Sequence, residues 1–232
     1  MMLDQAIMDR YKDAVGYDGA MPKIFPGYAL VPEVIASYLQ GKIPVDATVM
    51  DIGTGTATGL LRYAELTKWT LHGIDPALPL LDYGREKVNA AGLNKRIELY
   101  ECTVNDVPES AMYDAVTIML VEHLQPKEAK EALFNGAAAH IKPGGFLVIA
   151  GLYGDFSTAE TQRDLEAWLQ HARLMGFPEP AVEGFRHKAT VEDSFSTAAE
   201  IAELMAKSGF TGVSQVYQVQ LYGIWIGQKG NE

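Results

Sequence analysis

The chain has 232 residues, 30 acidic and 19 basic side chains, and a formal net charge of −11. Hydrophobic residues make up 48% and charged residues 21%, an ordinary globular composition with ample core for one domain or one domain with an inserted cap. The acidic excess argues against a protein that grips a nucleic-acid backbone, which must set cations against phosphates, and turns the expectation toward small-molecule chemistry.

In chain order, residues 1–44 read as an N-terminal helical arm that includes FPGYALVPEV at 25–34. Asp4, Asp9 and Arg10 interrupt any secretory leader. A β-rich run, VDATVMDI, covers 45–52 and a helix signal, ATGLLRYAEL, covers 57–66. A second strand spans 69–75. A helix with Leu80, Leu81 and Val88 on one side spans 78–92. Strand-like RIELYEC lies at 96–102 and apolar MYDAVTIML at 112–120. A helix opened by Pro126 runs 126–141, then the turn KPGG leads into a buried strand ending at 151. Strands alternating with helices of roughly 10–15 residues predict βαβ units, a parallel sheet and a doubly wound α/β core at 45–151. Residues 152–209 read as a helical cap and a further helix, and 210–229 as an antiparallel strand pair closing the sheet.

The lone cysteine, Cys102, allows neither an intrachain disulfide nor a thiolate cluster, and reads as a buried small hydrophobe. His72, His123, His140, His171 and His187 show no ligand spacing, so no metal is expected. The longest apolar run, at 146–153, is too short for a bilayer, so the expectation is a cytoplasmic protein without a membrane partner.

VMDIGTGTATG at 49–59 is a glycine turn after a strand. A dinucleotide turn asks for glycine at the sixth position from Gly53, where Thr58 stands. Asp51 would repel a pyrophosphate but attract an ammonium or sulfonium, which suits S-adenosylmethionine (SAM), a cationic ligand without phosphate. Asp75, at the end of the second strand, is placed to accept ribose hydroxyls.

These segments, with IELYECTVNDVP, YDAVTIMLVEHL and IKPGGFLVIAG in the same order, resemble class I SAM-dependent methyltransferases. The resemblance implies a Rossmann-like, mostly parallel seven-stranded sheet with its last strand antiparallel, and SAM as cofactor with S-adenosylhomocysteine (SAH) as product. It implies that Gly53, Thr54 and Gly55 cradle the methionine part, and that Asp75, followed by Pro76, binds ribose. Thr103 and Val104 would border the adenine, with Ile118 and Met119 on the fourth strand nearby. Where many members carry Asp, this chain has Thr103, so its hydroxyl, the backbone, Asn105 or Asp106 would serve.

FPGYALVPEV and GFPEPAVEGFRHKATVEDSFST further resemble carboxy-SAM synthases of tRNA wobble-uridine modification and their small-molecule methyltransferase relatives. That likeness implies Tyr28 as a cofactor contact and Arg186 as a reader of a carboxylate, for which a guanidinium fork is suited. Ile118 replaces the synthases' asparagine. Glu122 and His123, after the fourth strand, are the candidate bases or acceptor-orienting groups. His187 and Tyr153 are candidates to line the acceptor pocket.

The leading expectation is methyl transfer to a small, carboxylate-bearing molecule, by a monomer or homodimer without direct nucleic-acid contact. Carboxy-SAM synthesis and a non-catalytic SAM-binding module are the alternatives, and an NAD oxidoreductase stands further off.

Overall fold

The computed structural model describes residues 13–231. Residues 1–12 of the expected arm, including Asp4, Asp9 and Arg10, lie outside the described residues. Helix α1 (Ala14–Ile24) is capped by Asp13, whose carboxylate accepts from Gly16 N at 2.9 Å. A short 3₁₀ turn, Tyr28–Leu30, leads into α2 (Val31–Leu39). The α/β alternation follows: β1 (Thr48–Ile52), α3 (Thr58–Leu66), β2 (Thr70–Ile74), α4 (Leu78–Ala90), β3 (Ile97–Tyr100). Then come β4 (Tyr113–Met119), α5 (Lys127–Ala139) and β5 (Ile141–Leu152). Two helices, α6 (Ala159–Leu174) and α7 (Glu179–His187), precede α8 (Ala198–Lys207) and the hairpin β6 (Phe210–Val219), β7 (Tyr222–Lys229).

The strands form one sheet of order β3-β2-β1-β4-β5-β7-β6. The first five are parallel, and β7 runs antiparallel to both β5 and β6. Helices cover both faces, which is why β1, β4 and β5 read as continuous apolar runs rather than alternating ones. The pleat divides them: Val49 packs with Ile35, Leu60 and Tyr63 of α2 and α3, while Met50 packs with Phe134 of α5 and Ile201 of α8. Helix α8 starts on a reciprocal box in which Thr197 Oγ1 accepts from Glu200 N and Glu200 Oε2 accepts from Thr197 N.

The strand order reverses between β1 and β4. Ligands in open α/β sheets bind at such a switch point, beyond the carboxyl ends of the strands. One expectation changes here: Lys142–Gly145 is not a turn before β5 but part of the strand, accommodated by a register shift between Tyr113 and Ala115 of β4. A side chain at Gly145 would meet Asp114 O at 2.8 Å, so only glycine lets the two strands close up there.

Candidate functional site

The glycine turn after β1 is built from three left-handed residues at alternate positions: Gly53 (φ 74°), Gly55 (φ 53°) and Ala57 (φ 59°). A Cβ on Gly53 would lie 2.2 Å from Val121 Cγ2, so the loop approaches the end of β4 as only glycine allows. The third left-handed position is residue 57, one before Thr58, where the dinucleotide pattern has its third glycine. Left-handed backbone costs an L-residue roughly 1–2 kcal/mol, and part of that is offset by the extra freedom glycine has when unfolded. Ala57 is also fully buried, so Ala57→Gly gives up the burial of a methyl, about 0.8 kcal/mol, and the three effects nearly cancel: the urea midpoint is expected to move by no more than the equivalent of about 1 kcal/mol.

Two cavities flank this turn. The first, about 290 Å³, is lined by Asp51, Gly53, Thr54, Gly55, Tyr28, Met119 and Tyr222, with Tyr17 of α1 over it. The second, about 260 Å³, shares Gly53 and adds Pro76, Cys102, Thr103, Val104 and Asn105. A ligand crossing Gly53 would occupy both. Asp51 is 1% exposed and accepts a 2.6 Å bond from Thr117 Oγ1, its neighbour in register on β4. No cation pairs with it among the described residues. Burial pushes its carboxyl up to about 7, against the opposing pull of the Thr117 and nearby Thr54 hydroxyls. Thr54 Oγ1 is fully buried and has no hydrogen-bond partner among the described residues. A buried carboxylate without a cation, beside a hydroxyl with no hydrogen bond of good geometry, fits a cationic, polar ligand head.

Asp75 lines neither cavity. Its two oxygens accept from Gly55 N at 2.8 Å and Ala77 N at 2.7 Å, so it pins the glycine loop to the end of β2. Burial raises its carboxyl, and those two amides oppose the rise. Each oxygen retains a second lone pair, so a ribose contact remains compatible with this role. In the second cavity Thr103 N and Oγ1 both donate to Asp106, and Asn105 and Gln125 are the side-chain amides that line the cavity. Cys102 is half-buried on the same wall, not deep in the core as expected. Ile118 packs among Ile52, Val116 and Ile149 in the core, and lines none of the cavities. Met119, next along β4, takes the wall position.

A third cavity, about 370 Å³, opens on the other side of Leu120 and Tyr17, which it shares with the first. Leu120 follows β4 in left-handed backbone (φ 57°), strain of a kind that concentrates at functional sites. The walls are Met21, Ile24 and Phe25 of the α1 region, Leu152, Trp168 of α6 and Phe185 of α7; His123, Lys188, Glu192 and Asp193 are its polar members. His123 is 4% exposed, with Nδ1 unpartnered among the described residues. Burial, helped by Lys188 and Lys130, holds its imidazole down to about 3, so the ring is neutral at pH 7.

Its neighbour Glu122 has a different place from the one expected. It is 2% exposed, faces no cavity, and accepts from Lys130 Nζ at 2.7 Å and Ser196 Oγ at 2.6 Å. Lys130 also donates to Ser194 O and Ser196 Oγ. This buried knot ties the turn after β4 to α5 and to the segment before α8, while Ser194 N donates to His123 O at 2.8 Å. Glu122 thus holds the turn that carries His123 rather than reaching an acceptor.

Three expected acceptor contacts also lie outside the cavities. The Arg186 guanidinium binds Glu166 of α6 through two nitrogens, at 2.5 and 3.0 Å, and adds Glu183 at 3.3 Å. That fork is already filled by a carboxylate of the chain itself. His187 is exposed, 3.7 Å from Glu192. Tyr153 stacks edge-on against Trp225 at 4.8 Å and accepts from Gln215 Nε2 at 3.0 Å. The sequence reading missed Tyr17, Phe25, Trp168 and Phe185. Tyr17, Met21, Ile24 and Phe25 recur at three- and four-residue spacing, the signature of one apolar helix face.

Comparison with known proteins bears on this site. Residues 49–145 match the family described as "Methyltransferase domain". The chain is similar to the cypemycin N-terminal methyltransferase of Streptomyces sp, 30% identical over 132 residues, covering 56% of this chain and 50% of that protein. It spans, therefore, about half the length of that curated relative. It is also similar to the carboxy-S-adenosyl-L-methionine synthase of Campylobacter lari, 22% identical over 87% of this chain and 86% of that one. Among solved structures, the 1,6-didemethyltoxoflavin-N1-methyltransferase of Burkholderia thailandensis, holding its substrate and SAH, superposes with a TM-score of 0.66 at 16% identity, covering 97% of this chain and 86% of that chain. At that identity the likeness is one of fold.

Proposed function

We propose, from the premise that the chain belongs to the class I SAM-dependent methyltransferase superfamily, that it is an enzyme moving a methyl group from SAM to a small molecule held in the third cavity. The observation that carries this reading is Asp51: a buried carboxylate lining the first cavity, raised to about 7 by burial and with no cation paired to it among the described residues. SAM, when bound, supplies a methyl group on a sulfonium, open to in-line displacement by the acceptor.

The rest is the work of the chain. Gly53 and Gly55 let the backbone approach the ligand, Asp51 and Thr54 face its charged head, and Asn105 with Thr103 serves the second cavity. Tyr28, Tyr222 and Met119 close the first cavity against water. Leu120 stands between cofactor and acceptor cavities and sets how the two meet. The neutral His123 ring offers a polar contact to an acceptor in an otherwise apolar chamber. Alignment of this kind supplies roughly 7–11 kcal/mol of a barrier without a strong base.

Calorimetric titration with SAM, SAH, NAD and ATP tests the reading. Heat with SAM and SAH, and none with NAD or ATP, is expected; the reverse pattern would overturn it. A carboxylated SAM found by mass spectrometry in the purified protein would favour the synthase reaction instead. Arg186, already paired with Glu166, gives no support to that alternative.

A further inference from the structure

We infer that the second cavity reads the base of the bound nucleoside through two side-chain amides, Asn105 and Gln125, and therefore accepts a 6-keto purine as readily as a 6-amino one. This rests on the proposed SAM reading and goes beyond it by naming what the base site selects and what it lets through.

The amides come from different elements. Asn105 sits in the 3₁₀ turn Val104–Asp106 after β3, where Asp106 Oδ2 accepts from Thr103 N at 2.9 Å and from Thr103 Oγ1 at 2.7 Å. That turn packs on α5 at Gly136, where a Cβ would meet Val104 Cγ1 at 2.9 Å and Asn105 Oδ1 at 3.7 Å. Glycine there lets the turn close on the helix whose Ala129, Ala132 and Leu133 line the cavity. Gln125 follows the 3₁₀ turn Glu122–Leu124 after β4, and its N–H donates to Glu122 O at 3.0 Å. The buried Lys130–Glu122 pair holds that turn. The backbone around each amide is thus fixed, while neither side-chain amide hydrogen-bonds another described residue.

The rest of the lining narrows the choice of reader. None of the described residues that line this cavity carries a charge. Asp106 is turned to Thr103, and Asp75 is spent on the glycine loop. Thr103 gives both its protons to Asp106, so the two amides are the strong side-chain donors that remain. Ile52, Ile74, Val104, Val121 and Leu133 supply apolar walls for a flat heterocycle.

A carboxylate can only accept, whereas an amide carries a C=O acceptor and an NH₂ donor side by side. It can therefore meet a purine edge with two parallel bonds. A 6-amino purine presents an N–H donor beside a ring-nitrogen acceptor. A 6-keto purine presents the reverse, a C=O acceptor beside a ring N–H. Half a rotation about the soft terminal torsion of the amide converts one match into the other. No contact among the described residues holds either amide in one sense.

The test titrates the full chain calorimetrically with SAH and with S-inosyl-L-homocysteine, which differ only along this edge of the base. The two dissociation constants are expected to lie within about tenfold of each other, because both edges are satisfied; a wider gap overturns the proposal. Asn105→Asp and Gln125→Glu each replace the ambivalent group with a fixed acceptor. Asn105 is exposed and Gln125 half-buried, so neither carboxylate is forced into the core. In at least one of these variants, at a pH where carboxylates are ionised, the ratio of the two constants should move by more than about tenfold from the parent value. A ratio unmoved in both folded variants, as checked by circular dichroism, overturns the proposal, since the amides would then not be reading the base. The comparison in the parent protein decides without either variant. Failure of SAH itself to bind would instead remove the methyltransferase reading beneath it.

Discussion

Asp51→Asn is expected to make the ligand-free protein more stable at pH 8 and to abolish its hold on SAM. The side chain is buried, and its carboxyl rises from 3.8 to about 7. A group whose folded pKa is raised takes up protons more readily in the folded state. Its effect on stability is therefore absent below the unfolded pKa, and stability falls as pH climbs from about 4 to about 7. Three pH units at about 1.4 kcal/mol each put the penalty on the order of 4 kcal/mol above pH 7. Asparagine keeps the oxygen that accepts from Thr117 and removes the charge. A thermal melt at pH 8 should show a Tm higher by roughly 8–16 °C, and the difference should shrink toward pH 5. SAM affinity in the parent protein should fall as pH drops below about 7, since the cation meets a carboxylate only when Asp51 is ionised. A variant with unchanged melting and undiminished SAM binding would separate Asp51 from the cofactor. The trade is one in which stability is given up at the site where function needs an unpaired charge.

The second large effect lies in the knot behind the acceptor chamber. Lys130 and Glu122 are both buried, with side chains 3% and 2% exposed, and only 2.7 Å apart. Lys130→Met leaves Glu122 as an isolated buried charge, a loss typically of about 3–5 kcal/mol. The double change Glu122→Leu with Lys130→Met removes both charges and should recover most of that, since a buried pair is weak evidence of net stabilisation. Chemical denaturation of the three variants measures this directly. A single variant as stable as the parent protein would show that the pair is not confined as described. The double variant tests placement as well. If the knot serves to hold the turn carrying His123, acceptor affinity should remain weakened after stability has returned.

The parts of this fold that follow from short-range pattern were legible in the chain. Apolar-rich runs at 45–52, at 112–120 and ending at 151, alternating with helix signals, point to strands covered on both faces, and the glycine turn marks the end of the first of them as a ligand site. Candidate cofactor residues adjoining those strands, such as Asp51, Gly53, Thr54 and Thr103, follow from their places in the order. The third cavity was not legible in the same way. It is assembled from α1, α6 and α7, which lie far apart in the chain, and proximity among Phe25, Trp168 and Phe185 is a matter of tertiary packing. Arg186 shows the difficulty. Its type suits a carboxylate reader, but the carboxylate it reads is Glu166, which lies one helix away in space and twenty residues away in sequence. Ala57 shows another: an alanine gives no outward sign that its backbone is left-handed.

Asp18 of α1 bonds to Thr56 and Thr58 beside the glycine turn and to Lys87 of α4, while Tyr17, one residue earlier, roofs both the first and third cavities. One helix is thus anchored on the glycine loop and lines both the cavity proposed for SAM and the one proposed for the acceptor. Whatever free energy the first guest spends on settling that ceiling is discounted for the second, and thermodynamic reciprocity makes the discount the same whichever arrives first.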